Sequence, residues 1–230
     1  MLLETFLQVV SGDVPLTTAL LYTLYSVVSV LLIFPVHECA HGLGALIMGD
    51  KTAKYQGRLT LNPLAHIDPF GFLMLLILGF GWAKPVQFDP RNFKNRRWGT
   101  IVTAMAGPLS NIIFAFICFF LWALLSTVAY YSGTEWLGYF STLFSFMATY
   151  NASFAVFNLI PVPPLDGSKI LGELLPIKLR FRYYNLERYS YIIFLALILV
   201  LNRTGILGIL SNALLNMFVP LVDLLLGGIF

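Results

Sequence analysis

The chain has 230 residues, 58% hydrophobic and 11% charged, with a mean hydropathy of +0.82 and a net charge of +3. A soluble globular domain carries about 25% charged residues, so this composition excludes one and reads as an integral membrane protein of a single domain, 1–230. The basic excess lies in loops beside apolar stretches and gives no reason to expect a nucleic-acid partner, and two cysteines, Cys39 and Cys118, both in apolar stretches, build no disulfide framework.

Met1 to Val10 hold Glu4 and no Lys or Arg. Without a basic n-region they do not read as a signal peptide, and the first apolar helix is expected to stay in the protein. A spanning helix needs about 20 apolar residues. Leu16–Met48 meets this, and near its end stands His37-Glu38-Cys39-Ala40-His41. Histidines four apart lie on one helix face, one turn above each other, so both imidazoles can reach one metal ion. Glu38 points about 100° around the helix, unsuited as a third ligand but able to reach water at the metal. This is the HExxH pattern of zinc hydrolases, with the Glu as general base. Ionisable groups inside a membrane helix cost about 2.5–3.5 kcal/mol each and mark functional sites by default. Pro35 removes a helical hydrogen bond to Leu31, which predicts a kink or local opening beside the motif.

Between His41 and Ile101 stand Lys51, Lys54, Arg58, Lys84, Arg91, Lys94, Arg96 and Arg97. A second basic cluster is Lys178, Arg180, Arg182 and Arg188, while the connector Tyr130 to Glu135 has none. The positive-inside rule makes both clusters cytoplasmic. The expectation is a multi-pass protein of the cell membrane with its N-terminus outside and its active site toward the cytoplasm.

Within the first basic region Phe70–Phe80 is apolar but too short to cross, and crossing would split the basic residues between two sides. It is expected to be a re-entrant or interfacial element. The run from Gly79 to Phe88 has glycines and then an extended pattern. Pro85 would confine it to a sheet edge. With Tyr55–Leu61 it is expected to form a small β element at the cytoplasmic mouth, where Trp82, Ala83, Lys84, Pro85 and Val86 could dock an extended substrate strand; an ordinary interfacial loop is the alternative.

Gly99–Ala129 is the next candidate span. Gly107 permits close helix packing, and Asn111 needs a polar partner, in support of the site. Trp136–Ile160 follows, then Asn158-Leu159-Ile160-Pro161-Val162-Pro163-Pro164-Leu165-Asp166-Gly167. The prolines end the helix. Two crossings return the chain to the side of His37 and His41, so Asp166 arrives at their depth. A catalytic zinc takes three protein ligands and one open position. Asp166 is the favoured third ligand over a simple Asp-Gly turn. His66 remains open as a ligand, a substrate contact or a loop-orienting residue, and Glu173 is a further candidate. Tyr189–Leu201 with its flanks and Ile206–Leu226 complete the apolar stretches. The fold expected is all-α, with about five to six transmembrane helices, a re-entrant segment and the small β element. The catalytic core is expected over about 14–175 and C-terminal helices over 183–228.

Together these stretches resemble the site-2 protease family of intramembrane zinc metalloproteases, peptidase family M50. The resemblance covers most of Phe34 to Leu175. It rests on His37 to His41, on Gly107-Pro108 with Asn111, and on Asn158 through Gly167. The region Gly57 to Pro69, with Gly81 to Val86, is similar to the compact prokaryotic members, and a compact member without PDZ or CBS modules is expected. The resemblance implies one Zn2+ per chain held by His37, His41 and Asp166, with Glu38 as catalytic base and Asn158 near the scissile bond or supporting the site. The oxyanion would be held by the zinc with Asn158 or His66. It implies substrates that are membrane proteins with a transmembrane segment, cut within the lipid bilayer. Two other readings compete: a metal transporter or sensor using the same ligands without hydrolysis, and a prenyl-protein type of membrane protease, for which Glu173 would replace Asp166.

Overall fold

The computed structural model describes residues 7, 9–78 and 81–228. The apolar periods resolve into helices, and among the described residues there is no named strand. Helix α1 is Leu16–Ile47, α2 Thr52–Tyr55, α3 Pro63–His66 and α4 Pro69–Leu78. Then come α5, Arg96–Ser132, and α6, Glu135–Leu159. They are followed by α7 (Asp166–Leu174), α8 (Ile177–Tyr184), α9 (Ser190–Thr204), α10 (Ile206–Asn216) and α11 (Val219–Leu225). Among the described residues four helical stretches are long and apolar enough to cross a membrane: Leu16–Ile47, Arg96–Ser132, Ile177–Thr204 and Ile206–Leu225.

The core is built by α1, α5 and α6. Asn95 caps α5 by accepting from the Trp98 N–H at 3.2 Å, and Gly133, at φ +65°, ends it in the left-handed conformation that favours glycine. The two-residue connection turns the chain straight into α6, so the helices form an antiparallel pair. Ala115, Cys118, Ala123, Ala148 and Ala152 are buried along that pair. Small side chains let backbones approach where lipid offers no hydrophobic drive for association. The α1–α5 approach is closer still. A Cβ on Gly44 would stand 3.0 Å from the Ala106 Cβ and 3.2 Å from the Thr103 Cα. Polar groups along α1 are satisfied locally: Ser26 and Ser29 donate to the carbonyls of Tyr22 and Tyr25. By contrast α9 exposes Ile192, Leu195 and Leu199, an apolar surface of the kind that lipid covers in a spanning helix.

Several expectations are modified. Helix α1 runs unbroken through Pro35, so no local opening forms there. The C-terminal apolar stretch is two helices, parted at Met217–Phe218. Pro220 explains the break, since it cannot donate to the preceding turn and favours a helix start. Of Phe70–Phe80, α4 takes the described part, and residues 79 and 80 lie outside the described residues. Ten helical residues span about 15 Å, half of a bilayer core of about 30 Å. Residues 81–89 hold no strand beyond one isolated bridge, and their partner is not Tyr55–Leu61. Lys84 N–H donates to His66 O at 2.7 Å, and one isolated antiparallel bridge joins Ile67 to Ala83. Thr52–Tyr55 is helical instead. Asn62 caps α3 by accepting from the Leu64 N–H at 3.1 Å, which presents His66 and Ile67 to the extended segment.

A buried carboxylate ties these loops to the helices. Asp50, fully buried, accepts from Thr52 N–H at 3.0 Å and Thr52 Oγ1 at 2.6 Å, from Asn92 Nδ2 at 2.8 Å and from Asp89 N–H at 2.7 Å. Burial pushes its carboxyl up, but the bonds from Thr52, Asn92 and Asp89 outweigh burial and hold it below the usual range. A carboxyl depressed in the folded state stabilises fully above its unfolded pKa of about 3.9 and ceases to do so as pH falls through the folded value. Asp50→Asn is expected to cost about 1–3 kcal/mol near pH 7, because its amide turns a donor toward donors. The difference from wild type should shrink below about pH 4 in thermal or denaturant unfolding.

Candidate metal centre

Three side chains from two distant parts of the chain meet inside the protein. His37 Nε2 and His41 Nε2 are 2.9 Å apart. Asp166 Oδ2 lies 3.2 Å from His37 Nε2 and 3.0 Å from His41 Nε2. All three residues are buried, and they form a metal-ligating group among the described residues. Helix periodicity brings the imidazoles together. Asp166 is delivered by a different device. Helix α6 ends at Leu159, and Leu165 N–H donates to Val162 O at 3.0 Å, closing the proline-rich turn that starts α7 at Asp166. Gly167 is needed in that turn, since a Cβ there would stand 2.2 Å from the Leu159 carbonyl oxygen.

The hydrogen bonds around the group fix what it can hold. His41 Nδ1 lies 2.7 Å from Thr103 O, and a carbonyl only accepts, so Nδ1 carries the proton. In the neutral ring Nε2 then presents a lone pair. That lone pair faces a carboxylate oxygen and a second imidazole nitrogen. Three electron-rich atoms at such distances in a buried site need positive charge between them, supplied either by a proton on an imidazole or by a metal cation. Ligands about 2.0–2.1 Å from a tetrahedral ion stand roughly 3.3 Å from one another, close to the separations seen here. Two imidazoles and one carboxylate suit a borderline ion of the zinc type. The Lys169 ammonium, 3.1 Å from Oδ1, favours the ionised form of the Asp166 carboxyl that a metal ligand needs.

The walls of the centre are specific. Gly107 packs on the imidazoles: a Cβ there would meet His41 Cε1 and Nε2 at 2.5 Å and His37 Cε1 at 2.6 Å. The Phe154 ring meets His37 edge-on, with centroids 4.9 Å apart, and packs against Phe34 at 5.3 Å. Both phenylalanines also line a largely apolar cavity of about 390 Å³ between α1, α4, α6 and α9, with Ile33, Leu75, Phe157 and Phe194 among its walls.

The other candidates are distributed around this centre. Glu38, half-buried, accepts from the Val86 N–H at 2.8 Å, which brings the extended segment against the motif. Asn111, fully buried, lies one turn beyond Gly107. Its Oδ1 accepts from Ser110 Oγ at 3.3 Å while its Nδ2 has no partner. Asn158 Nδ2 donates to Phe154 O at 3.0 Å. His66 is outside the group: it is fully buried and its Nε2 meets Thr60 O at 2.9 Å, which secures the loop before α3. Glu173 is also engaged elsewhere, with Arg180 at 2.9 Å and the Tyr184 hydroxyl at 3.0 Å. Trp82 is exposed and packs on Phe70 at 5.8 Å. Sequence reasoning missed the Thr103 carbonyl, which carries no residue signature. It also missed Lys169, which the three-residue spacing from Asp166 could have indicated.

The sequence profile of Peptidase family M50 matches residues 25–201. The chain is 43% identical over 193 residues to the "Putative zinc metalloprotease YwhC" of Bacillus subtilis, covering 82% of this chain and 86% of that one. Two relatives carry the same description: Rip2 of Mycolicibacterium smegmatis and MJ0611 of Methanocaldococcus jannaschii. The first is 28% identical over 178 residues, 73% of this chain and 64% of its own. The second is 33% identical over 103 residues, 44% of this chain and 48% of its own. No solved structure matches the chain.

Gly107→Ala provides the direct check on this geometry. The added methyl has to displace both imidazoles, so the variant is expected to lose about 1–3 kcal/mol of stability and most of its bound divalent metal. Elemental analysis of the purified protein measures the second effect.

Proposed function

This chain belongs to peptidase family M50, and from that premise we propose how an intramembrane zinc metalloprotease is built from its residues. His37, His41 and Asp166 hold one zinc ion, and Glu38 is the general base. The convergence of two imidazoles and a sequence-distant carboxylate, all buried and within 3.2 Å of one another, carries this reading. Bound zinc supplies a Lewis acid that polarises a carbonyl and lowers the pKa of water toward about 7. Glu38 takes the proton of the attacking water and delivers it to the leaving amine. The free Nδ2 of Asn111 is the donor assigned to the developing oxyanion. Asn158 supports the site by fastening the last turn of α6, and His66 supports it by fastening the loop under residues 81–89. Membership of a protease family favours hydrolysis over a metal carrier or sensor.

The substrates are membrane proteins with a transmembrane segment, cut in or beside it. A helix hides its carbonyls in hydrogen bonds, so the substrate must unwind before attack. Residues Trp82 to Val86 then receive it as an added strand on their free edge. The pairing of Lys84 with His66 and of Ala83 with Ile67 supports an edge of this kind. Apolar side chains of the unwound stretch enter the cavity walled by Phe34 and Phe154. In the membrane, α4 is re-entrant, as its length suggests, and α6 joins the four apolar stretches as a further crossing. The basic clusters set the orientation, with the N-terminus outside and the metal centre toward the cytoplasm. The whole chain acts as one domain, with the catalytic core over about 14–175 and helices over 183–228 closing its flank.

Glu38→Gln is expected to retain one zinc per chain and to cut a helical membrane substrate at least about 100-fold more slowly. Wild-type rates of cleavage in that variant, measured in detergent or liposomes, would remove Glu38 from the reaction. The ligand assignment has its own check. Asp166→Asn should lose zinc, whereas Glu173→Gln should keep it, and metal content separates the two.

A further inference from the structure

The carboxylate of Asp166 has two oxygens, and they are used differently. Oδ2 faces the imidazoles. Oδ1 accepts from the ammonium of Lys169 at 3.1 Å, one helical turn along α7. The same ammonium lies over the Phe88 ring, 5.7 Å from its centroid, within range of a cation–π contact. Phe88 in turn stacks on Phe93 at 5.8 Å. Phe88 belongs to the extended segment 81–89, whose Val86 N–H is bonded to Glu38. One short segment thus touches both halves of the centre, the base through its backbone and the carboxylate through Lys169.

We propose that Lys169 is a positioning residue for the zinc centre, holding Asp166 Oδ1 so that only Oδ2 is offered to the ion and coupling that orientation to segment 81–89 through Phe88. The proposal rests on the zinc reading above. Physically, a carboxylate free to rotate can offer either oxygen, or both, to a metal. An ammonium on one oxygen removes that freedom and leaves one donor in register with two imidazoles. Partners of metal ligands orient them, and losing one typically costs about 10–100-fold in metal affinity. Lys169 also balances charge: Asp166 and Glu38 bring two carboxylates to the centre, and the Lys169 ammonium lies 3.1 Å from Asp166 Oδ1. Its side chain is 38% exposed, so its charge is carried to the site from the loop side without being sealed in.

The test is zinc affinity, measured by chelator competition on the full chain in detergent, together with unfolding of the metal-free protein. Lys169→Met, which keeps the stem and removes the charge, is expected to weaken zinc binding about 10–100-fold while its metal-free form melts with metal-free wild type. Lys169→Arg restores most of the affinity, because a guanidinium keeps both the donor and the cation–π contact. Phe88→Leu leaves every charge in place and weakens zinc by a smaller factor. Wild-type affinity in Lys169→Met, or an Lys169→Arg variant as weak as Lys169→Met, would overturn the positioning role. A metal-free Lys169→Met that melts well below metal-free wild type would mark a general packing residue instead and overturn it too. Unchanged affinity in Phe88→Leu would sever the coupling to the segment. Wild-type protein that binds no zinc would bring down the zinc reading itself, and with it this proposal, so the two failures are distinguishable.

Discussion

Electron-rich atoms cannot face one another in an apolar interior unless something positive lies among them. The rest of this molecule follows from that constraint. His41 commits its Nδ1–H to Thr103 O at 2.7 Å, which turns Nε2 toward the centre. The Lys169 ammonium beside Oδ1 favours the ionised form of Asp166. The donor set suits a cation, and the surrounding helices are the scaffold that keeps three donors converged. An unpaired buried charge costs several kcal/mol in any protein, and more where lipid replaces water outside. The folded arrangement of α1, α5 and α7 and the occupancy of the centre are in this sense one equilibrium.

Around that core the chain separates rigid parts from adjustable ones. The α1–α5–α6 unit packs through alanine, serine and glycine and fixes the imidazoles. The loops between α1 and α5 are held by polar contacts instead: Asp50 to Thr52, Asn92 and Asp89, His66 to Thr60, and Lys84 to His66. Segment 81–89 runs across this boundary. It is long enough to pair with a peptide on one edge and is already bonded to Glu38 and Lys169 on the other side. Glu38 and Asp166 are therefore both in touch with this one segment, the first through the Val86 N–H and the second through Lys169.

Much of this was legible in the sequence, for reasons that differ by element. The imidazole pair follows from a period of 3.6 residues, and Asp166 followed from counting crossings and seeking a third donor. The apolar stretches predicted α1, α5, α6 and α9 to within a few residues, since twenty or more apolar residues leave few alternatives. The partner of residues 81–89 was not legible. Pairing of short extended segments depends on what the neighbouring turn presents, and the Asn62 cap that turns His66 and Ile67 toward Ala83 is a three-dimensional consequence. Pro35 breaks no helix here, because a proline in a long buried helix can be tolerated when neighbouring helices hold the chain in line. Lys169 went unnoticed because a lysine after an Asp-Gly turn reads as a solvated charge until Phe88 is seen beneath it.

Gly44 and Gly107 lie on the two sides of a close approach between α1 and α5. One brings α1 against the backbone of α5 at Thr103 and Ala106, and the other lets α5 rest directly on the imidazole rings. The spacing of the two helices and the placing of the two imidazoles are therefore set by the same pair of glycines.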